Sequence, residues 1–475
     1  MEHGILSLLP PVLAIILAIT TRNVVISLFI GIFAGQFILN DFSFIGSFIA
    51  TFDGIVGLFS EAWITKTLIF ALFVGSILRL IIYSGGVAGF VEFLTQRQHS
   101  IKSKKGALLL AYIIGLIIFI ESSITALVAG AVARPLTDRF GASREKLAYV
   151  CDSTSAPVCS LIPLNAWGAL LIGIILEQIN SGIITGNATS LFLQSIPFNF
   201  YAILTLIFVL YIILTEKDFA SMKQAEAQAT PQKTADSEQT GNLWHMILPL
   251  LVLILMMPIA LYFSGQSTGA EGAFYQVMMQ GSGTTAVFYA VVVSLLFSFF
   301  YYLIGKVMSV DTWFTQVYKG AADMLPIVVI LVLAFSIGQV TKSLETGQYL
   351  AALAGDSLPI VIIPMLIFVL TAIIAFSTGT SWGTFSIMLP IAITFSVAAT
   401  SNLAVSSDYL VLVIAAVVSG GIFGDHCSPI SDTTIISSMA SQCDHISHVN
   451  TQLPYALVTG FASAVLFLIA GIILA

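Results

Sequence analysis

Charge is what this chain has least of. Asp, Glu, Lys and Arg make up 9% of its 475 residues, against 58% hydrophobic. With a mean hydropathy of +1.01, that balance excludes a soluble globular domain. Cysteine is scarce as well: Cys151, Cys159, Cys427 and Cys443, three of them beside polar interruptions, do not make a disulfide framework. Only 17 Lys and Arg and a formal net charge of −7 leave no basic face for nucleic acid. Ser, His and Asp all occur, yet nothing reads as a nucleophile elbow, a nucleotide loop or a His-Glu-x-x-His pattern, so an enzyme is not expected.

Long apolar runs are what the chain has instead. A spanning helix needs about 20 mostly apolar residues, and such runs occur at 4–21, 23–41, 63–84, 195–215, 243–264, 284–305 and 453–475. The first could pass for a secretory signal, but Glu2 stands where a basic start belongs and Ile19-Thr20-Thr21-Arg22 is a poor cleavage site. It is read as a helix. The fold expected is an all-α polytopic membrane protein.

One long hydrophilic segment, residues 216–241, carries Lys217, Lys223 and Lys233 and reads as a cytoplasmic linker between halves 1–215 and 242–475. Each half has the same order: two apolar spans, an amphipathic piece (43–60, then 307–323), a span, a polar-centred pair of shorter runs, an interrupted span and a final span. One constant offset pairs Ser122, Ser123, Thr125 and Pro135 with Ser377, Thr378, Thr380 and Pro390.

Orientation follows from Lys and Arg, which gather in short cytoplasmic loops. Segments 97–105 and 134–146 are both basic, and between them the chain is polar only around Glu121-Ser122-Ser123-Ile124-Thr125. A single crossing would put one basic loop outside. A re-entrant hairpin, with two arms of about 14 residues rising about 21 Å each, keeps both inside. It is placed at about 106–137, and its counterpart at about 358–398, with the tip Ser377-Thr378-Gly379-Thr380-Ser381 and flanks that lack Lys and Arg. This trace leaves only Lys66 and Lys342 outside and gives the halves opposite orientation, as two inverted-topology repeats. A plain bundle of uninterrupted helices is the alternative.

After each hairpin comes an interrupted span. The first, about 147–180, breaks at Asp152-Ser153-Thr154-Ser155-Ala156-Pro157 and again near Asn165; the second, about 409–441, breaks at 424–432. Pro157 and Pro429 should free backbone carbonyls. Carbonyls, hydroxyls and a carboxylate together suit a hard cation such as sodium.

The run Gly424-Asp425-His426-Cys427-Ser428-Pro429-Ile430-Ser431-Asp432-Thr433-Thr434, its continuation through Ser438, and Cys151 to Pro157 resemble the NhaC family of sodium:proton antiporters, within the broader ion-transporter superfamily. The resemblance implies a multi-pass secondary transporter of the bacterial inner membrane that exchanges sodium for protons. Relatives in that family also couple malate and lactate, and related carriers take up amino acids. The superfamily further implies a homodimer, with scaffold helices around a mobile domain that carries the hairpins.

Asp152 and Asp425 are then expected to be the coupling carboxylates, each able to hold a proton or a sodium ion. Asp432 is a third titrating group or a helix cap. Ser122, Ser123, Thr125, Ser153, Thr154, Ser155, Asn165, Thr378, Thr380, Ser381, Ser428, Ser431 and Thr433 are expected to supply substrate or sodium ligands, and Glu121 a proton relay or an interhelical hydrogen bond. His426, His445 and His448, with Cys427 and Cys443, read as solvated residues or a cytoplasmic pH sensor rather than a zinc site. Sodium is the one ion called for, as cargo or coupling ion, with no cofactor. Partners are membrane lipid, Na+, H+ and, in the alternative reading, a small organic anion or amino acid carried with sodium or protons. A passive channel fits less well, because inverted halves with proline-broken spans favour alternating access.

Overall fold

Backbone groups in hydrocarbon must bond to one another, and a helix does this within a single segment. The computed structural model describes residues 3–21, 23–96, 103–119, 122–163, 165–231, 241–267, 269, 272–279, 281–346, 349, 359–400, 408–429 and 431–475. Among these residues there are helices and turns and no strand. The first half contains α1 (Leu9–Thr21), α2 (Val24–Leu39), α3 (Phe44–Leu58), α4 (Ala62–Tyr83), α5 (Gly86–Gln96), α6 (Lys104–Ile117) and α7 (Ser122–Phe140). It continues with α8 (Arg144–Ser153), α9 (Ala156–Leu161), α10 (Ala166–Asn180), α11 (Ala188–Ser195) and α12 (Phe200–Thr215). The linker opens with α13 (Ala220–Gln228). Beyond it come α14 (Trp244–Ser267), α15 (Phe274–Met279), α16 (Gly283–Ile304), α17 (Val310–Asp323) and α18 (Leu325–Ser343). The chain ends with α19 (Ile363–Thr378), α20 (Ser381–Thr400), α21 (Asp408–Cys427), α22 (Asp432–Ser441) and α23 (His445–Leu474).

Eight helices among the described residues are long and apolar enough to cross a membrane. Large apolar side chains such as Phe44, Ile45, Ile304 and Phe461 face outward, where lipid rather than water suits them. The chain is a multi-pass membrane protein. Gly265-Gln266-Ser267-Thr268-Gly269 does spell Gly-x-Ser-x-Gly, but Gly265 to Ser267 close the end of α14 with no strand ahead of them, so the strained strand-to-helix elbow is not built.

The helix pair α19 and α20 turns at Gly379, whose φ of 66° lies in the left-handed region that glycine tolerates, and its N–H bonds to Ala375 O at 2.8 Å. The helices α6 and α7 pack against each other, and Glu121, between them in the chain, lies outside the described residues.

The breaks are narrower than the polar runs that announce them. In the first half α8 carries Asp152 and Ser153, and α9 restarts at Ala156 with Pro157 in its first turn, where a missing N–H costs little. A second break ends at Asn165, whose side chain caps α10 by accepting from Gly168 N at 2.9 Å. In the second half α21 runs unbroken through Gly424, Asp425 and His426 to Cys427, because these residues keep their N–H groups and only Pro429 lacks one.

Close glycine packing sets Asp425 in place. A Cβ on Gly420 would fall 2.4 Å from Phe368 O, and one on Gly424 would fall 2.1 Å from Ala372 O. These glycines, four apart, put α21 backbone to backbone against α19, with Asp425 next in the chain. Gly424→Ala is predicted to destabilise the protein by about 1–3 kcal/mol, the range for overpacking, read as a lower unfolding midpoint in detergent. Gly57→Ala, where nothing lies within 4 Å, should leave the midpoint unchanged. Equal midpoints for the two variants would contradict the close approach.

Candidate functional site

Asp152 lies in the last turn of α8 and is 0% exposed. Its Oδ2 accepts from Thr434 Oγ1 at 3.1 Å and from Gln452 Nε2 at 2.7 Å. It also faces His448 Nε2 at 3.5 Å and His426 Nε2 at 3.9 Å. All four partners belong to the second half of the chain. His426 is held from both sides, sharing hydrogen bonds with Ser153 Oγ at 3.1 Å and with Tyr201 Oη at 2.6 Å. His448 is wholly buried, and among the described residues neither of its ring nitrogens has a partner at full hydrogen-bond geometry.

Two sequence expectations fail here. His426 and His448 are not solvated, because α23 turns a polar stripe of His448, Gln452, Tyr455, Thr459 and Ser463 inward. That spacing of three and four puts them on one helical face. Only His445 is partly exposed, its Nε2 at 2.6 Å from Pro429 O. The carbonyls expected to be freed around Pro429 for a cation are also occupied. Asp425 O, four residues before Pro429, accepts from Ser428 N at 2.9 Å, and His426 O accepts from Gln452 Nε2 at 2.6 Å.

Asp425 sits in different surroundings. It is 1% exposed, and among the described residues neither carboxylate oxygen has a partner at full hydrogen-bond geometry. The hydroxyls of Ser431 and Ser381 and the carboxylate of Asp432 are its neighbours, with Asp152 beyond them. Ser381 and Asp432 also line a cavity of about 70 Å3, together with Thr67, Ser122, Trp167, Thr380, Trp382 and Thr433. A water needs roughly 10–15 Å3 of such space, so the cavity takes a few waters or a small cation with part of its shell. Asp432 is the first residue of α22, where the helix dipole favours negative charge, and the N-cap position belongs to Ser431.

The remaining expected ligands mostly hold the scaffold. Thr125 donates to Ile118 O. Thr154 donates to Val150 O at 2.8 Å, Ser155 to Asp152 O at 2.8 Å and Thr378 to Ile374 O at 2.9 Å. Ser431 and Thr433 share a hydrogen bond at 3.1 Å. Each break is tied to the helix pair of its own half: Asn165 Nδ2 donates to Phe119 O at 2.8 Å, and Ser428 Oγ to Phe376 O at 2.8 Å. Glu121 and the side chain of Ser123 lie outside the described residues. Tyr201, His448 and Gln452 are site residues the sequence reading missed; the stripe on α23 was the available signal for the latter two.

A sequence profile of the Na+/H+ antiporter family matches residues 158–472. The chain belongs to the Na+/H+ antiporter family. The match agrees with the resemblance to that family and covers residues 424–438, while 151–157 lie just ahead of it. An uncharacterized protein of Haemophilus influenzae is 36% identical over 484 residues, covering 99% of this chain and 91% of that protein. The malate-2H+/Na+-lactate antiporter of Bacillus subtilis is 32% identical over 106 residues, which cover 22% of this chain and 20% of that protein. In fold, the YdaH transporter of Alcanivorax borkumensis superposes with a TM-score of 0.61 at 17% identity, over 89% of this chain and 88% of its own. The protein is thus a secondary transporter, not an enzyme.

Proposed function

We propose that the protein exchanges Na+ for H+ across the bacterial inner membrane by alternating access, with the two halves in opposite orientation and the helix pairs α6–α7 and α19–α20 re-entrant. The observation that carries this reading is the pair of buried carboxylates with unlike neighbours. Asp425 faces hydroxyls and a second carboxylate beside a cavity, an all-oxygen set suited to sodium. Asp152 already accepts from an amide and a hydroxyl and faces two imidazoles, a set suited to holding a proton. Of the two sodium positions expected from the sequence, Asp425 is the better fit.

Coupling follows from charge. A sodium ion at Asp425 and a proton held near Asp152 repel one another, and buried charges are screened little by solvent. Each therefore promotes departure of the other. If loaded forms reorient and the empty charged form does not, the cargoes move in opposite directions. No cofactor enters this scheme, and a homodimer is the assembly in which we place it.

A second reading has its own observation. A cavity of about 480 Å3 is lined by Thr341, Lys342, Glu345, Thr346, Thr394 and apolar residues of α20, room enough for a small organic anion beside a lysine. Vesicles carrying the protein and an internal pH dye decide between the two. Sodium alone is predicted to drive proton movement. A response only when malate, lactate or an amino acid accompanies sodium would favour the organic-solute carrier.

A further inference from the structure

The exchange reading leaves the linker without a role, yet its first residues are firmly docked. Lys146, whose side chain is 1% exposed, places Nζ 2.7 Å from Asp218 Oδ2 and 4.0 Å from Glu226 Oε2. Glu226 also pairs with Lys104 and accepts the Ser143 N–H at 2.7 Å. A buried ammonium persists only when its charge is matched, so this network fastens the linker to α8. The other oxygen of Asp218 accepts from Tyr455 Oη at 3.1 Å, and the Phe219 ring stacks on that of Tyr455 at 4.2 Å.

Polar groups continue inward from there. The Tyr455 ring lies 4.9 Å from that of Tyr149, and the Tyr149 hydroxyl lies beside Ser153. Ser153 Oγ is 3.1 Å from His426 Nε2, which faces Asp152 at 3.9 Å. We propose that this series is the proton route: a proton entering beside the docked linker passes through Tyr455, Tyr149 and Ser153 to the His426–Asp152 pair, apart from the sodium cavity at Asp432. Every hop breaks one O–H or N–H bond as it makes another, so for each proton that leaves the water at the linker one is gained at His426. Lys146, Asp218 and Glu226 are the charged groups at the outer end; His448 and Asp425 stand at the inner end. The route rests on the exchange reading and gives the two cargoes separate entrances.

Tyr149→Phe, Tyr455→Phe and Ser153→Ala test it in proteoliposomes. Sodium-driven proton movement should slow by roughly 10- to 100-fold, while isotopic sodium-for-sodium exchange, which needs no net proton transfer, stays at the rate of the unaltered protein. A purely structural role would depress both modes together. Proton movement at full rate in all three variants, or parallel loss of both modes in all three, overturns the route. Failure of sodium to drive any proton movement in the unaltered protein overturns the exchange reading instead.

Discussion

Asp425→Asn is expected to abolish sodium binding while leaving the protein folded. The substitution keeps the shape of a side chain packed beside the Gly424 contact with α19 and removes only the charge. The Ser431 and Ser381 hydroxyls beside Asp425 can donate to the amide oxygen or accept from its nitrogen. What it removes is the buried anion that compensates a desolvated cation. Losing one member of a buried ion pair costs about 3–5 kcal/mol, or roughly 100-fold or more in affinity. Calorimetric titration of the purified protein with sodium reads this directly, with potassium as the control. Binding within a few-fold of the unaltered protein would place the ion elsewhere.

Asp152→Asn should have the opposite signature. Its neighbours His426 and His448 stand at 3.9 and 3.5 Å, and an imidazolium at that range gains about 4 kcal/mol from a carboxylate at an effective dielectric of ~20. Without the charge, a proton on the cluster loses that attraction. Gln452 and Thr434 still find an oxygen to donate to, so the helices they join, α23 and α22, stay in register with α8. Isotopic sodium-for-sodium exchange is therefore expected to survive, whereas sodium-driven proton movement falls by about 100-fold or more. Equal loss in both modes would show that Asp152 serves structure or sodium rather than the proton.

These two residues were legible in the sequence because charge inside an apolar run has few bland explanations. The turn at Gly379 and the tie of polar residues to each break were legible for a similar reason: Gly, Pro and hydroxyls interrupt otherwise unbroken spans. Other members were hidden by their context. His448 follows the polar loop that holds Cys443 and Asp444, and there it read as a solvated histidine; its membership in an inward stripe shows only when Gln452 and Tyr455 are counted with it. Tyr201 opens an apolar helix in which Thr205, four residues on, is the other buried hydroxyl, a pair too sparse to mark a site. The bond from Thr434 to Asp152 joins residues from opposite halves, and no local pattern predicts which hydroxyl of the second break meets the first. Local chemistry also overstated the breaks, since Gly424, Asp425 and His426 remain helical while their side chains look like a loop.

Isotopic sodium uptake into proteoliposomes under an imposed pH gradient, with the unaltered protein beside Asp425→Asn and Asp152→Asn, tests the division of labour most directly. The account predicts gradient-driven uptake for the unaltered protein, none for Asp425→Asn, and uptake indifferent to the gradient for Asp152→Asn. Uptake that follows the gradient equally in all three would contradict it.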